Sequence, residues 1–270
     1  MKERVISVLI PTHKPGSYIE RCLNSINSQI ISNDKFKVYI ALNGTKDEYE
    51  KYIINILESC TFNYEYIYIV DAGVSNARNK LLEISKEPFI TFIDDDDLIT
   101  ENYLSELLKV ADNETVGISN VYSFDNSVEE LYSNYLTHAF EYLQEEEYSL
   151  FRARKYFSSP IGKLIHRSII QNERFDNGLS IGEDSLFMAK ISKNFKSLRK
   201  SHPTAAYLIH ERVGSTTRKK INRISELRRL VYLISKYTTL LFEGYNIIFV
   251  FSRIAATFKH LKRIFKQDYL

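Results

Sequence analysis

Short apolar runs alternate with helical patterns along the first 120 residues, and this alternation constrains the fold more than any other feature. The runs are rich in β-branched and aromatic residues, which is typical of buried strands. The predicted strands span residues 5–10, 37–42, 64–70, 88–93 and 116–121, and the predicted helices span 16–29, 46–59, a segment from Ser75, and 100–112. This order predicts an α/β fold with a doubly wound, mostly parallel sheet flanked by helices.

The pattern weakens after residue 122. Residues 123–157 are rich in Tyr and Glu and indicate some helix and a loop, whereas a strand at 163–166 and a helix from Ser185 are again readable. Cys22 and Cys60 lack a metal-type or redox-type spacing, which favours a reducing compartment. With no signal-peptide pattern and no apolar run of membrane-spanning length, we expect a cytoplasmic location.

The end of the chain differs in charge from the rest. After Thr217 there are 12 Lys/Arg and 3 Asp/Glu, against 24 and 31 before it. Between Tyr245 and Lys266 the cations alternate with Ile and Phe at helical spacing, as in basic helices that lie on anionic membranes. A helical cap on the main domain or a contact between two copies of the chain would fit the same pattern. No nucleic-acid-binding motif accompanies the charge.

Four consecutive carboxylates follow the apolar run that ends at Ile93. Side chains alternate along a strand, so we expect Asp94 and Asp96 to point to one side, and Asp95 and Asp97 to the other. Two such charges ~4 Å apart repel by about 4 kcal/mol at an effective dielectric near 20. A divalent cation would remove that repulsion, and oxygen ligands suit Mg²⁺ or Mn²⁺. An acidic turn that caps the next helix is the alternative interpretation.

A second acidic pair, Glu183 and Asp184, precedes a predicted helix. The free amides and dipole at a helix N-terminus keep a carboxylate ionised, so the pair suits a general base. The same pattern also describes an ordinary helix cap.

Seven segments, in this order, resemble inverting glycosyltransferases of family 2 with the GT-A fold. They are VLIPTH at 8–13, LNGT at 42–45, GVSNARN at 73–79, ITFIDDDDL at 90–98, GKLI at 162–165, FDNGLSIGED at 175–184 and RVGS at 212–215. The resemblance covers roughly residues 5–218. It implies transfer of a sugar from a nucleotide-sugar donor, UDP-linked by expectation, to an acceptor hydroxyl, in bacterial surface polysaccharide synthesis.

The resemblance also implies roles for individual residues. Donor-binding residues would be Pro11, Thr12, His13, Asn43, Arg78, Asp94, Asp95 and Arg218. His13 stands where Tyr is more usual, and Asn43 where an Asp often reads the base. Asp96 is the first choice as ligand of Mn²⁺ or Mg²⁺, with Asp94, Asp97 and His210 as further candidates. Asp184 corresponds to the proposed general base, with Glu183 beside it.

The resemblance divides the chain into two predicted regions. Residues 1–218 would form the catalytic domain, with a nucleotide-sugar half at about 1–122 and an acceptor half at about 123–218, and residues 219–270 a basic amphipathic helical tail. Expected partners are the donor, a glycan or lipid-linked glycan acceptor, and, for the tail, the inner face of the plasma membrane or a second copy. A metal-dependent nucleotidyltransferase and a nucleotide-sugar-binding or assembly module without turnover are the alternatives.

Overall fold

The computed structural model describes residues 5–212 and 223–266, and a mixed eight-stranded sheet forms its centre. Twelve strands are described: β1 (Ile6–Thr12), β2 (Phe36–Asn43), β3 (Asn63–Ile69), β4 (Phe89–Phe92), β5 (Leu98–Ile99), β6 (Thr115–Ile118), β7 (Asn120–Phe124), β8 (Tyr132–Ser133), β9 (Glu146–Glu147), β10 (Lys163–His166), β11 (Ser197–Lys200) and β12 (Ala206–His210). The strand order in the main sheet is β3-β2-β1-β4-β10-β6-β11-β9.

Helices cover the sheet. They are α1 (Tyr18–Asn27), α2 (Asp47–Ser59), α3 (Val74–Ile84), α4 (Tyr103–Val110), α5 (Tyr135–Tyr142), α6 (Arg167–Ile170), α7 (Glu183–Ile191), α8 (Arg223–Phe242) and α9 (Ile247–Lys266), with a 3₁₀ helix at Arg152–Ser158. The predicted α/β fold with flanking helices is therefore confirmed. None of the helices in the described residues combines the length and the apolar character needed to span a bilayer.

The first four strands of the sheet are parallel, as the alternating pattern predicted. Strand β1 pairs in parallel with β2 and β4, and β2 pairs in parallel with β3. Every residue of β1 is buried, which explains its unbroken apolar character. Helix α1 packs its Ile19, Cys22, Leu23 and Ile26 into the core, so Cys22 is a core residue.

The remaining strands make the sheet mixed. Strand β10 runs antiparallel to both β4 and β6, and so joins the parallel half to the second half. The predicted strand at 116–121 is wrong as one element, since it divides into β6 and β7. Strand β7 pairs with β12 in a separate four-stranded sheet, ordered β5-β12-β7-β8. Ser119 lies between the two strands and donates its backbone N–H to the Gly162 carbonyl.

Helices α8 and α9 pack on the sheet domain. Leu230, Leu233 and Tyr237 of α8 are buried, and the Phe249 ring of α9 lies 4.6 Å from that of Phe157. The Tyr245 hydroxyl donates to the Lys190 carbonyl at 2.8 Å. The tail therefore adjoins the domain over part of its length, while the division at residues 218 and 219 stays a prediction.

Candidate active site

The four consecutive carboxylates lie at the carboxyl end of β4, in a turn rather than in a strand. Strand β4 ends at Phe92, and the Asp97 backbone N–H donates to the Asp94 carbonyl at 3.1 Å. The expected two-sided alternation is therefore wrong. Because a turn rotates successive side chains, Asp94, Asp95, Asp96 and Asp97 each meet a different partner. The position itself, beyond the carboxyl ends of parallel strands, is where ligands bind in α/β sheets.

Arg78 joins this turn to the second acidic pair. Its guanidinium is 4% exposed, and it donates from Nη2 to Asp94 Oδ1 at 2.9 Å and from Nη1 to Asp184 Oδ1 at 2.6 Å. The Glu183 carboxylate lies 4.0 Å from Nη1. These opposite charges raise the pKa of Arg78 despite its burial, so the guanidinium stays charged. One buried cation thus ties together carboxylates that are 90 residues apart in sequence.

Helix α7 presents Asp184 from its first turn. Gly182 is the N-cap residue and adopts φ +95°, a left-handed conformation that glycine tolerates best. Burial raises the pKa of Asp184 to about 7, although the Arg78 charge opposes the shift. Burial likewise raises the pKa of Glu183. A carboxyl group that titrates near neutral pH is suited to accept a proton during catalysis.

The ends of β1 and β2 form the neighbouring wall. The Thr12 hydroxyl donates to the Asp95 carboxylate, and burial raises the pKa of Asp95 to about 7. The Asn43 side chain donates to the Thr12 carbonyl at 2.7 Å and accepts from the Gly73 backbone N–H at 2.8 Å. Asn43 therefore braces two strand ends, and any contact with a base remains a prediction.

Two further donor-site candidates differ in accessibility. His13 is exposed, with its Nδ1 atom 2.7 Å from the Asn43 carbonyl oxygen, so its ring borders open space. Pro11 is buried within β1, where it can shape the wall only through the backbone. Arg218 lies outside the described residues.

Asp96 and Asp97 have contrasting surroundings. Asp96 forms an ion pair with Arg212, whose guanidinium lies 4.5 Å from the centre of the Tyr18 ring. Asp97 is buried and accepts from the Tyr207 hydroxyl and from the His210 backbone N–H, both at 2.8 Å. Both Asp97 oxygens are therefore occupied by protein donors, which argues against the predicted role of Asp97 as a metal ligand.

Few side chains at the acidic turn could hold a divalent cation. Among residues 5–212 and 223–266, no three His, Cys, Asp or Glu side chains converge to hold a metal ion. The carboxylates of Asp94 and Asp96 remain at the turn, and each meets an arginine through one oxygen. Mg²⁺ commonly binds through one or two carboxylates together with substrate phosphates, so this sparse set fits such an ion when a diphosphate completes it.

His210 has one ring nitrogen without a partner. Its imidazole stacks on Phe124 with the ring centres 4.9 Å apart, and its buried Nδ1 has no hydrogen-bond partner in the described chain. Burial lowers the pKa of His210, which favours the neutral form that metals bind.

Sequence reasoning missed three site residues. Arg212 and Lys163 stand in segments that carried the family resemblance, yet neither received a role, and Tyr207 lies on a strand that was not predicted. The Lys163 ammonium is buried and donates to the Ser159 and Ile161 carbonyls at 2.8 and 2.9 Å. Burial lowers the pKa of Lys163 to about 7, while the nearby Asp184 charge opposes the shift. The sequence signal for Lys163 was the presence of a lysine at the start of an apolar strand.

The comparisons with known proteins agree with this geometry. The sequence profile of glycosyl transferase family 2 matches residues 7–173, and the chain belongs to this family. Glycosyltransferase GlyA of Streptococcus pneumoniae is 28% identical over 196 residues, which cover 69% of this chain. The matched region spans only 28% of the length of GlyA.

Solved structures share the fold. Staphylococcus aureus TarS 1–349 in complex with UDP-GlcNAc matches 86% of this chain and 66% of its own, with a TM-score of 0.68 and 18% identity. The mannosyltransferase PcManGT from Pyrobaculum calidifontis, in complex with GDP-Man and Mn²⁺, matches 95% of this chain and 69% of its own, with a TM-score of 0.64 and 15% identity. The predicted similarity to family 2 glycosyltransferase folds is confirmed.

Proposed function

We propose that the protein is an inverting glycosyltransferase that moves a sugar from a nucleotide-sugar donor to an acceptor hydroxyl. The observation that carries the proposal is the Arg78 guanidinium, which bridges Asp94 of the acidic turn and Asp184 at the start of α7. A donor diphosphate at the turn would therefore lie beside a carboxylate that can act as a base. Membership of glycosyl transferase family 2 supports the same reaction class.

Asp184 would accept the proton of the attacking hydroxyl. Arg78 occupies its Oδ1 atom, and the side chain is 22% exposed, so the carboxylate keeps an open side toward solvent. Proton removal strengthens the acceptor oxygen as a nucleophile, and a single displacement inverts the configuration at the anomeric carbon. The oxocarbenium-like transition state resembles that of glycoside hydrolysis.

Asp96 and Asp94 would hold the divalent ion, Mn²⁺ or Mg²⁺, together with the donor diphosphate. The ion supplies charge neutralisation of the leaving diphosphate and fixes its orientation. Asp96 would have to exchange its ion pair with Arg212 for the metal. Arg212 would then be free to contact the diphosphate.

The donor is proposed to carry UDP. His13 and Asn43 lie at the wall where the base would bind, and the amide of Asn43 is already committed to the backbone. TarS binds UDP-GlcNAc and PcManGT binds GDP-Man, so related folds accept both bases. We favour UDP from the family resemblance, with a surface polysaccharide or its lipid-linked precursor as the product.

Nucleotide titration tests this function. UDP and GDP are titrated into the protein with and without Mn²⁺, alongside Asp96→Asn and the exposed control Asp71→Asn. We expect Mn²⁺-dependent binding of UDP that is lost in Asp96→Asn and kept in Asp71→Asn. Failure of the folded protein to bind either nucleotide would contradict the proposal. Nucleotide binding without donor hydrolysis would favour a binding or assembly module.

The tail is proposed to bring the protein to an anionic membrane surface in the cytoplasm. Ile247, Ile248, Phe251 and Phe258 on α9 are each about half exposed or more. Residues at this spacing share one face of a helix, and the sequence of this segment is rich in Lys and Arg. An apolar face on a basic helix is typical of helices that lie in the membrane interface.

A further inference from the structure

The 3₁₀ helix Arg152–Ser158 packs beside α7, the helix that carries Asp184. It packs against α5, α7 and α9, so three separate parts of the chain converge on it. Its last residue, Ser158, hydrogen-bonds the Tyr135 hydroxyl at 2.8 Å. Its Arg154 carbonyl accepts from Arg253 of α9 at 2.6 Å. The proposed acceptor half and the tail therefore share one surface.

Tyr135 is exposed on this surface. It is the first residue of α5, and a capping box on Asn134 fixes the start of the helix. Its side chain is 49% exposed, and partial burial raises the pKa of its phenol. The charges of Asp184 and Arg253 both act on that pKa, in opposite directions, so both lie within electrostatic reach. An exposed aromatic ring beside a catalytic carboxylate offers a flat apolar face to a sugar or polyol.

The cations of this surface have no ion-pair partner among the described residues. Arg154, Lys155 and Arg253 form no ion pair with any described residue, and the buried Nε atom of Arg253 has no hydrogen-bond partner there. Lys155 is exposed, and its carbonyl accepts from the Ser158 hydroxyl at 2.6 Å. Because side chains three residues apart eclipse in a 3₁₀ helix, Lys155 and Ser158 share one face. Arg253 also borders a cavity of about 70 Å³ beside Ser185 of α7.

We propose that Tyr135, Lys155 and Arg253 form an acceptor subsite for a phosphate-bearing polyol or glycan next to Asp184. This assignment rests on the proposed glycosyltransferase function and adds the acceptor class to it. Guanidinium and ammonium groups bind phosphate through charge-assisted hydrogen bonds. The Tyr135 ring packs against the carbon skeleton of the unit whose hydroxyl faces Asp184. The tail helix thus contributes a binding residue to the acceptor site.

Matched probes test the subsite. A fluorescent ribitol phosphate hexamer is titrated into the full chain at low salt, beside the same hexamer with neutral methylphosphonate links. We expect the charged hexamer to bind about tenfold more tightly or better. Equal affinity for the two hexamers would overturn the proposal, as would no binding of the charged one by a protein that binds nucleotide.

Variants then assign the binding to these side chains. Lys155→Gln changes an exposed side chain and should weaken charged-hexamer binding about two- to fivefold. Arg253→Met and Tyr135→Ala should weaken it further, with thermal unfolding as a check on the fold. The control is Lys51→Gln, an exposed lysine of α2 that forms no described ion pair and should leave Kd unchanged. An equal loss in Lys51→Gln would overturn the assignment.

Nucleotide binding and vesicle binding distinguish a failure of the subsite from a failure of the proposed function. All variants should keep the Mn²⁺-dependent nucleotide binding of the wild type, because none of these residues lies at the acidic turn. Loss of nucleotide binding in the wild type would contradict the proposed function rather than the subsite. If Lys155→Gln and Arg253→Met weaken binding to phosphatidylglycerol vesicles but not to the hexamer, the cations face a lipid surface and the acceptor assignment is wrong.

Discussion

At the residue scale, the charge of Asp184 is set by two opposing effects. Burial disfavours its ionised form, while the Arg78 guanidinium at 2.6 Å favours it. Burial dominates, and the resulting pKa of about 7 allows Asp184 both to take up and to release a proton under physiological conditions.

This pKa predicts the pH dependence of the reaction. A general base works only when ionised, so the rate of donor hydrolysis should rise with pH and level off above about 7. Below that value kcat/KM should fall about tenfold per pH unit, because the ionised fraction shrinks tenfold. The measurement is the kcat/KM profile of donor hydrolysis, with water as the acceptor. A profile that is flat between pH 5 and 8 would contradict the role of Asp184.

Replacing the base should separate catalysis from binding. Asp184→Asn keeps the shape and an acceptor for Arg78 but cannot take up a proton, so we expect donor hydrolysis to fall by about 10²–10⁴-fold. Nucleotide affinity should not change. Isothermal titration and a hydrolysis assay measure the two effects, with the exposed Asp71→Asn as control. Loss of nucleotide binding as well would make Asp184 a donor ligand or a structural residue.

At the element scale, the N-terminus of α7 depends on a glycine. A Cβ atom at Gly182 would lie 2.9 Å from Leu233 Cδ2 of α8, and φ is +95°. Gly244, after α8, has a similar φ of +80°, but a Cβ atom there would meet no described neighbour within 4 Å. Gly244 therefore isolates the effect of the backbone conformation from that of the side-chain contact.

We expect Gly182→Ala to destabilise the fold more than Gly244→Ala. The backbone strain common to both should cost about 1–2 kcal/mol, and the contact with Leu233 adds to it only at Gly182. Urea unfolding measures the difference. Equal losses would mean that Leu233 moves aside freely. Reduced donor hydrolysis in Gly182→Ala with unchanged nucleotide binding would indicate that the turn also positions Asp184.

Some helices and strands could be predicted from the sequence, and others could not. The strands β1 to β4 and helices α1 to α4 were predictable because each has its own periodic pattern. The division of residues 116–121 was not, because both halves are buried while their partners, β11 and β12, come from distant sequence. The two-residue strands β5, β8 and β9 are too short to carry a period.

At the scale of the whole molecule, the tail places an apolar face on the outside. Phe251 and Phe258 are 54% and 49% exposed on α9, whereas Phe249 and Val250 of the same helix are fully buried. One side of the helix therefore packs on the domain, and the other is available to a membrane.

Vesicle binding tests that surface. The double variant Phe251→Ser/Phe258→Ser should bind phosphatidylglycerol vesicles at least about tenfold more weakly than the wild type, because each buried Phe contributes about 1.5–3 kcal/mol. Donor hydrolysis should be kept. Ile30→Ser, a 66% exposed apolar residue outside the tail, is the control. Unchanged vesicle binding in the double variant, measured by co-sedimentation, would contradict the membrane role.

The sequence by itself determined the fold class, the family resemblance and the two acidic segments, because periodic apolar patterns and consecutive carboxylates are local features. Only the tertiary structure decided how those segments meet. Arg78 could equally have been a surface charge, and its bridge between Asp94 and Asp184 exists because β4, α3 and α7 meet at one edge of the sheet. The partners of Asp96 and Asp97 likewise follow from the pairing of β12, which brings Tyr207, His210 and Arg212 to the turn. Long-range pairing is not encoded in any short segment, and for that reason the site emerges only in the folded chain.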